Sequence, residues 1–284
     1  KGVPGSQLEL TIINKKNKKI KKIKRGIIPL PSISAFFMLN KNIGIIKISS
    51  FSNKTGDEFI RAITNLKNKG LTKLILDLRN NGGGYLHGAT SISDEFLPAN
   101  KLIVYTKGIN QDKKEYFSTQ LGHFEEGNVI VLVNSGSASA SEIVSGAIQD
   151  NDRGLILGRR TFGKGLVQQP IILNDNSELR LTVSRYYTPT GRCIQKPYGH
   201  GIDYENDLLE RFQRGEMQQF DSSFFKDADK FVTSGGNIVY GGGGIFPDIF
   251  VPLDTIGSTN YYTSLFYSPV FRSFCFDYVD KNRS

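Results

Sequence analysis

One stretch, Val129 to Gln168, constrains the fold more than any other. The apolar run Val129 to Val133 reads as a buried strand. It opens into a run of small residues, Asn134-Ser135-Gly136-Ser137-Ala138-Ser139-Ala140-Ser141, and then into a helical pattern from Glu142 to Ile148. A second apolar run, Leu155-Ile156-Leu157, leads to Thr161-Phe162-Gly163-Lys164-Gly165, with Gln168 just beyond. Strands alternating with helices predict an α/β core. A buried strand that delivers a serine-rich turn to a helix N-terminus is a place to expose a hydroxyl nucleophile. A lysine between two glycines, returned by the next strand, is a place to supply a base.

The rest of the chain fits around that stretch. With 284 residues it exceeds one average domain and can bury a large core. Its net charge of +9 invites a nucleic-acid reading. Lys15, Lys16, Lys18, Lys19, Lys21, Lys22, Lys24 and Arg25 carry nearly all of that excess in one short segment. No aromatic residue interleaves them, as single-strand binding would want, so a solvated hairpin is expected and no nucleic-acid partner. Cys193 and Cys275 form no disulfide framework, and His87, His123 and His200 have no metal-ligand spacing, so no metal or cofactor is expected. No apolar window is long enough to span a bilayer.

In chain order, residues 1–25 read as one hairpin, Leu8 to Ile13 returning through Lys19 to Lys24, too small to fold alone. Residues 26–255 read as the core domain. It opens with a linker, residues 26–40, stiffened by Pro29 and Pro31, and carries a surface insertion at 201–231. Ile43 to Ile48 and Leu74 to Leu78 are buried strands. Between them a helix of about Gly56 to Lys69 presents Phe59, Ile63 and Leu66 on one face, with Thr55 and Glu58 spaced as a capping box. Arg79-Asn80-Asn81-Gly82-Gly83-Gly84 is a tight turn into a helix over Tyr85 to Phe96, and residues 107–127 are a surface hairpin. Residues 256–284 carry Tyr262, Phe266, Val270, Phe274 and Val279 at helical spacing, the start of a helical extension.

A catalytic serine needs a base, an oxyanion hole and an exposed hydroxyl. Ser139, three residues before Glu142, fits equally as a plain helix N-cap. In the catalytic alternative the unpaired N–H groups at that helix start, Ala140 first, face a developing oxyanion. No histidine is placed to complete a triad. Lys164 lies among Phe162, Leu166 and Val167, and a desolvated ammonium gives up its proton more readily. A surface turn explains the same glycine-flanked lysine. The Gly82-Gly83-Gly84 turn could provide a second oxyanion donor or be only a strand-to-helix turn, and no dinucleotide fingerprint is present.

Taken jointly, Leu76-Asp77-Leu78-Arg79-Asn80-Asn81-Gly82-Gly83, Gly136-Ser137-Ala138-Ser139-Ala140-Ser141-Glu142-Ile143 and Thr161-Phe162-Gly163-Lys164-Gly165 resemble the carboxyl-terminal processing (tail-specific) serine proteases. The matching blocks span about residues 40 to 195. The resemblance implies a Ser/Lys hydrolase with Ser139 as nucleophile, rather than Ser137 or Ser141, Lys164 as general base and Gln168 orienting that base. It implies oxyanion donors from Ala140 and from Gly82 or Gly83. It also implies a ClpP/crotonase-like mixed sheet core preceded by a PDZ domain, of which residues 1–25 would be the last hairpin. Protein or peptide substrates taken by their C-terminal tails, and a place in the periplasm or cell envelope, follow from the same likeness. No stable membrane insertion is expected, and self-association is left open. The rival readings are a non-catalytic peptide- or ligand-binding module on the same fold, and an acyl-CoA enzyme, which would want a carboxylate acid/base.

Overall fold

The computed structural model describes every residue except 1, 15, 16, 29, 120, 200–202, 222, 223, 225–227, 258, 283 and 284. Lys15, Lys16, Pro29 and His200, singled out above, lie outside the described residues, and the 201–231 insertion is described in part. The chain begins with β1 (Gln7–Asn14), β2 (Asn17–Lys24), β3 (Ile33–Met38), β4 (Ile43–Ile48), α1 (Thr55–Lys67) and β5 (Lys73–Asp77). It continues through α2 (Leu86–Asp94), β6 (Leu102–Lys107), β7 (Lys114–Phe117), β8 (Asn128–Val133), α3 (Ala140–Asp150) and β9 (Leu155–Gly158). Then come β10 (Leu166–Ile172), β11 (Glu178–Tyr187), α4 (Asp207–Gln213), β12 (Lys230–Val232), β13 (Ile238–Tyr240), β14 (Ile249–Phe250), α5 (Asn260–Tyr267) and α6 (Pro269–Asn282).

The core is a six-stranded mixed sheet in the order β14-β9-β8-β5-β4-β3, parallel except for β3 at one edge. The runs that read as buried strands are its centre. Ile46, Leu76, Val131 and Ile156 lie in register across β4, β5, β8 and β9, and all are fully buried. Each such side chain contributes about 1.5–3 kcal/mol by leaving water. Phe59, Ile63 and Leu66 of α1 are buried as their spacing predicts, and every residue of α3 is buried. Beside this core stands an antiparallel sheet, β10-β11-β6-β7. The α/β core is therefore as the sequence predicts.

Three adjacent parallel strands fix where chemistry can occur. β5, β8 and β9 are neighbours, and the glycine turn, the serine run and the Lys164 loop follow their respective carboxyl ends. Loops at the carboxyl ends of parallel strands line one edge of such a sheet, which is where α/β folds place their ligands.

Three local expectations are corrected. Residues 33–38 of the expected 26–40 linker form β3, whose backbone pairs antiparallel with β4 at the sheet edge. Thr55 and Glu58 do not form a capping box. Lys54 is the N-cap of α1, the buried Thr55 hydroxyl accepts the Ser52 N–H at 2.7 Å, and Glu58 accepts the N–H groups of Ser32 and Ile33. Tertiary partners at the start of β3 outcompete the local bond. The terminal helical pattern is two helices, because Pro269 forces Ser268 into an extended conformation, φ −75° and ψ 150°. The hairpin β1-β2 forms as read and is exposed along both strands where described. Among the described residues, no helix is long and apolar enough to cross a membrane, and no acidic, histidine or cysteine cluster is placed to hold a metal ion.

Candidate active site

Four serines alternate from Ser135 in the turn to Ser141 in the first turn of α3, and the fold treats them differently. Ser137 and Ser141 are fully buried, and their hydroxyls donate to the carbonyl oxygens of Leu78 (2.8 Å) and Asn81 (2.9 Å). Both side chains therefore fasten the serine turn to the glycine turn after β5. Ser139 is half-buried and holds φ 56°, ψ −112°. A non-glycine residue at positive φ is strained by about 1–3 kcal/mol and persists only where its surroundings impose it. A serine on a strained strand-to-helix turn is the geometry that thrusts a hydroxyl outward.

Glu142 imposes that strain. Its carboxylate is fully buried and takes four donors. One oxygen accepts the Ser139 N–H (2.7 Å) and the Lys164 N–H (2.8 Å). The other accepts the Gly163 N–H (2.6 Å) and the Thr161 hydroxyl (2.5 Å). Thr161 donates its hydroxyl proton to that carboxylate oxygen while its own oxygen accepts the Ile245 N–H at 2.7 Å. Two hydrogen bonds to a shared oxygen hold the Ser139 and Lys164 backbone nitrogens within about 5.5 Å of each other. Burial pushes the Glu142 carboxyl up from its ordinary range, against the pull of those four donors.

The oxyanion candidates lie against this turn. Among the described residues the Ala140 N–H, at the start of α3, has no hydrogen-bond partner, as first-turn donors do. Gly83 packs so closely that a Cβ there would stand 2.7 Å from Ser139 Cβ and 2.9 Å from Ala140 N, and its φ is +98°. Only glycine fits. The Gly83 N–H, however, donates to the Asn81 side chain at 2.9 Å. Gly82 is exposed, and its N–H has no partner among the described residues. Of the two, Gly82 has the available donor.

Lys164 departs from expectation. Gly163 and Gly165 are buried, but the lysine between them is exposed, not enclosed by apolar neighbours. The glycines let the backbone press inward, where a Cβ on Gly165 would meet Gln195 N at 2.4 Å, and the lysine side chain is left outside. Among the described residues Lys164 has no ion-pair partner. Gln168 lies on β10 opposite Thr182, just past a bulge at Val167/Gln168, exposed and with no hydrogen bond to Lys164 among the described residues. Ser139, Ala140 and Gly83 are thus brought together with the Lys164 backbone, and among the described residues Gln168 makes no hydrogen bond to any of them. Sequence reasoning missed Asn81, whose side chain spans from Ile48 O to Gly83 N and whose carbonyl takes Ala138 N and Ser141 Oγ. It also read Glu142 only as a cap. Its position three residues after Ser139 was the signal, and its long-range partners were not visible.

Residues 42–206 match Peptidase family S41, more than half of the chain. The chain belongs to this family. The S41 chain is 41% identical over 193 residues to the carboxy-terminal-processing protease of Bartonella bacilliformis, covering 66% of this chain and 43% of that protein. It is 36% identical over 200 residues to the carboxy-terminal processing protease CtpB of Bacillus subtilis, covering 69% of this chain and 42% of that one. Among solved structures, the photosystem II D1 C-terminal processing protease superposes with a TM-score of 0.54 at 30% identity, covering 68% of this chain and 54% of that chain. The S41 chain thus spans less than half the length of these two curated relatives.

Proposed function

We propose that this S41 chain carries the catalytic core of a serine endopeptidase that cleaves proteins near their C-termini. One observation carries the reading. Of the four alternating serines from Ser135 to Ser141, Ser137 and Ser141 are buried and donate to backbone carbonyls, whereas Ser139 alone holds a strained positive φ at the N-cap of α3 and is tied through one Glu142 oxygen to the backbone of Lys164. In the reaction Ser139 Oγ attacks the peptide carbonyl carbon as neutral Lys164 takes its proton. The carbonyl oxygen becomes an oxyanion facing the Ala140 N–H and a Gly82 or Gly83 N–H. Collapse breaks the C–N bond, Lys164 returns the proton to the leaving amine, and water hydrolyses the acyl-enzyme by the same route. Each backbone donor is worth about 10²–10³ in rate. Gln168 is assigned the orienting of the lysine by the family resemblance alone. Lys164 is open to water in the free chain, so in this reading the bound substrate is what covers it.

Residues 1–25 are proposed as the end of a PDZ domain, and the C-terminal tail of a substrate as what the whole protein recognises. A setting in the cell envelope follows from the resemblance to exported processing proteases. Ser139→Ala and Lys164→Ala test the dyad: each abolishes cleavage and labelling by a fluorophosphonate, and undiminished activity in either removes it. Exposure of Lys164 favours one rival, a non-catalytic binding module. That module would bind peptides with no fluorophosphonate adduct on Ser139.

A further inference from the structure

The loop that carries Lys164 is exposed at its side chain, yet its backbone is held at nearly every polar group. Thr161 N–H donates to Ile245 O, Phe162 N–H to Ser137 O, and Gly165 N–H to the Gln195 side chain. Gly163 O accepts the Lys196 N–H, and Gly165 O accepts the Tyr186 N–H. The carbonyls of Arg160 and Thr161 have a different kind of partner. Both accept from one guanidinium, that of Arg211 on α4, at 2.8 and 3.0 Å.

Arg211 is 1% exposed although it comes from a short helix in a surface insertion. Its Nε donates to Glu216 at 2.8 Å, so the planar head spans a carboxylate on one side and the two loop carbonyls on the other. A second cation braces the same loop. Lys196 Nζ donates to Tyr204 O at 2.9 Å and to Asp207 of α4 at 3.1 Å. The same ammonium lies over the rings of Phe162 (4.4 Å) and Tyr204 (4.0 Å). Phe162 is two residues from Lys164, so α4 holds the loop from its outer side while Glu142 holds it from within. The match to the S41 family ends at residue 206, immediately before α4. The outer half of the brace comes from beyond the family pattern.

We propose that Arg211, with Lys196 and Asp207, is a positioning device for the Lys164 loop, and that α4 controls whether the base stands in working register with Ser139. This rests on the Ser139/Lys164 reading. A side chain exposed to water has no packing of its own to fix it, so its placement depends on the backbone beneath it. Fixing a reacting group within a fraction of an ångström is worth large factors in rate, and losing the fix costs kcat more than substrate affinity. Other charged groups around the guanidinium are Arg160 and Arg214, both on Glu216.

The test uses Arg211→Met, Arg211→Lys and Asp207→Asn, with Ser139→Ala as control. It measures thermal midpoint, fluorophosphonate labelling rate, and kcat and KM on a quenched fluorescent peptide with a free C-terminus. Arg211→Met is expected to lower kcat and labelling at least about tenfold with KM within about threefold of the parent, and Arg211→Lys to restore part of the loss. A folded Arg211→Met with parental kcat and labelling overturns the proposal and leaves the dyad untouched. A loss seen only in KM overturns it equally. Should Arg211→Met fail to fold, Asp207→Asn decides: a drop of about threefold or more in kcat supports the brace, and parental kcat rejects it. Unchanged cleavage in Ser139→Ala is a different failure, since it removes the dyad and this inference with it.

Discussion

Replacing Glu142 with glutamine exchanges one oxygen for an amide group while keeping the shape of the side chain. In the parent, all four contacts to this carboxylate are donors: the N–H groups of Ser139, Gly163 and Lys164, and the Thr161 hydroxyl. A glutamine amide can face either pair. Facing Ser139 and Lys164, it confronts two N–H donors with two more. Facing Gly163 and Thr161, it is accepted by the threonine oxygen only if that hydroxyl turns, and the Gly163 N–H is left unpaired. Each buried donor without an acceptor costs about 1–3 kcal/mol, so the substitution costs about 1–6 kcal/mol depending on the face chosen. At about 2–4 °C per kcal/mol for a domain of this size, the midpoint falls by at least about 2 °C. The functional loss is larger, because the bond to Ser139 N–H is what holds φ at 56°. Labelling by a fluorophosphonate is expected to slow by about a hundredfold, comparable to losing one oxyanion donor. Circular dichroism melts and gel-based labelling give both readouts. A Glu142→Gln protein that melts and labels as the parent does would refute the idea that this carboxylate sets the turn.

Ser139→Gly should raise the thermal midpoint as labelling disappears, because glycine removes a strain of about 1–3 kcal/mol; a lowered midpoint contradicts the strain. Gly83→Ala should abolish labelling and lower the midpoint, since its Cβ would lie 2.7 Å from Ala138 O and 2.9 Å from Ala140 N; full labelling in a folded variant contradicts that crowding. Burial pushes the Tyr186 phenol up to about 12 from 10.0. Below pH 10 the phenol is neutral in both folded and unfolded chains. Between about 10 and 12 only the unfolded chain ionises, so stability falls as pH rises, by on the order of 3 kcal/mol. Tyr186→Phe should flatten that alkaline fall in urea titrations, and an unchanged slope contradicts it.

The alternation of apolar runs with helical spacing is read directly because burial dictates it. Ile46, Leu76, Val131 and Ile156 could only be central strand residues, and Phe59, Ile63 and Leu66 could only be the inner face of a helix. The placement of the candidate site was legible where it is local: Ser139 at a helix start, Ala140 behind it, glycines in the preceding turn. It was illegible where partners come from afar. Glu142 was assigned its nearest bond, three residues back, but also binds across 19 to 22 residues to Thr161, Gly163 and Lys164. Thr55 and Glu58 failed for the same reason, since Ser32 and Ile33 supply stronger partners than the helix end. Apolar neighbours in sequence suggested an enclosed Lys164, but Phe162 turns to Lys196 and Tyr204 instead. Arg211 gave no signal at all, because a lone arginine in a polar insertion reads as surface.

The contacts around Ser139 are stitched from segments that leave the ribosome far apart in time. Asn81 and Gly83 emerge early and the serine turn well after them. Thr161 is complete only when Ile245 returns to take its N–H and to give one back. A growing chain therefore cannot complete these contacts until nearly all of its core has been synthesised, and a product broken off before Ile245 lacks both the closure at Thr161 and the edge strand β14.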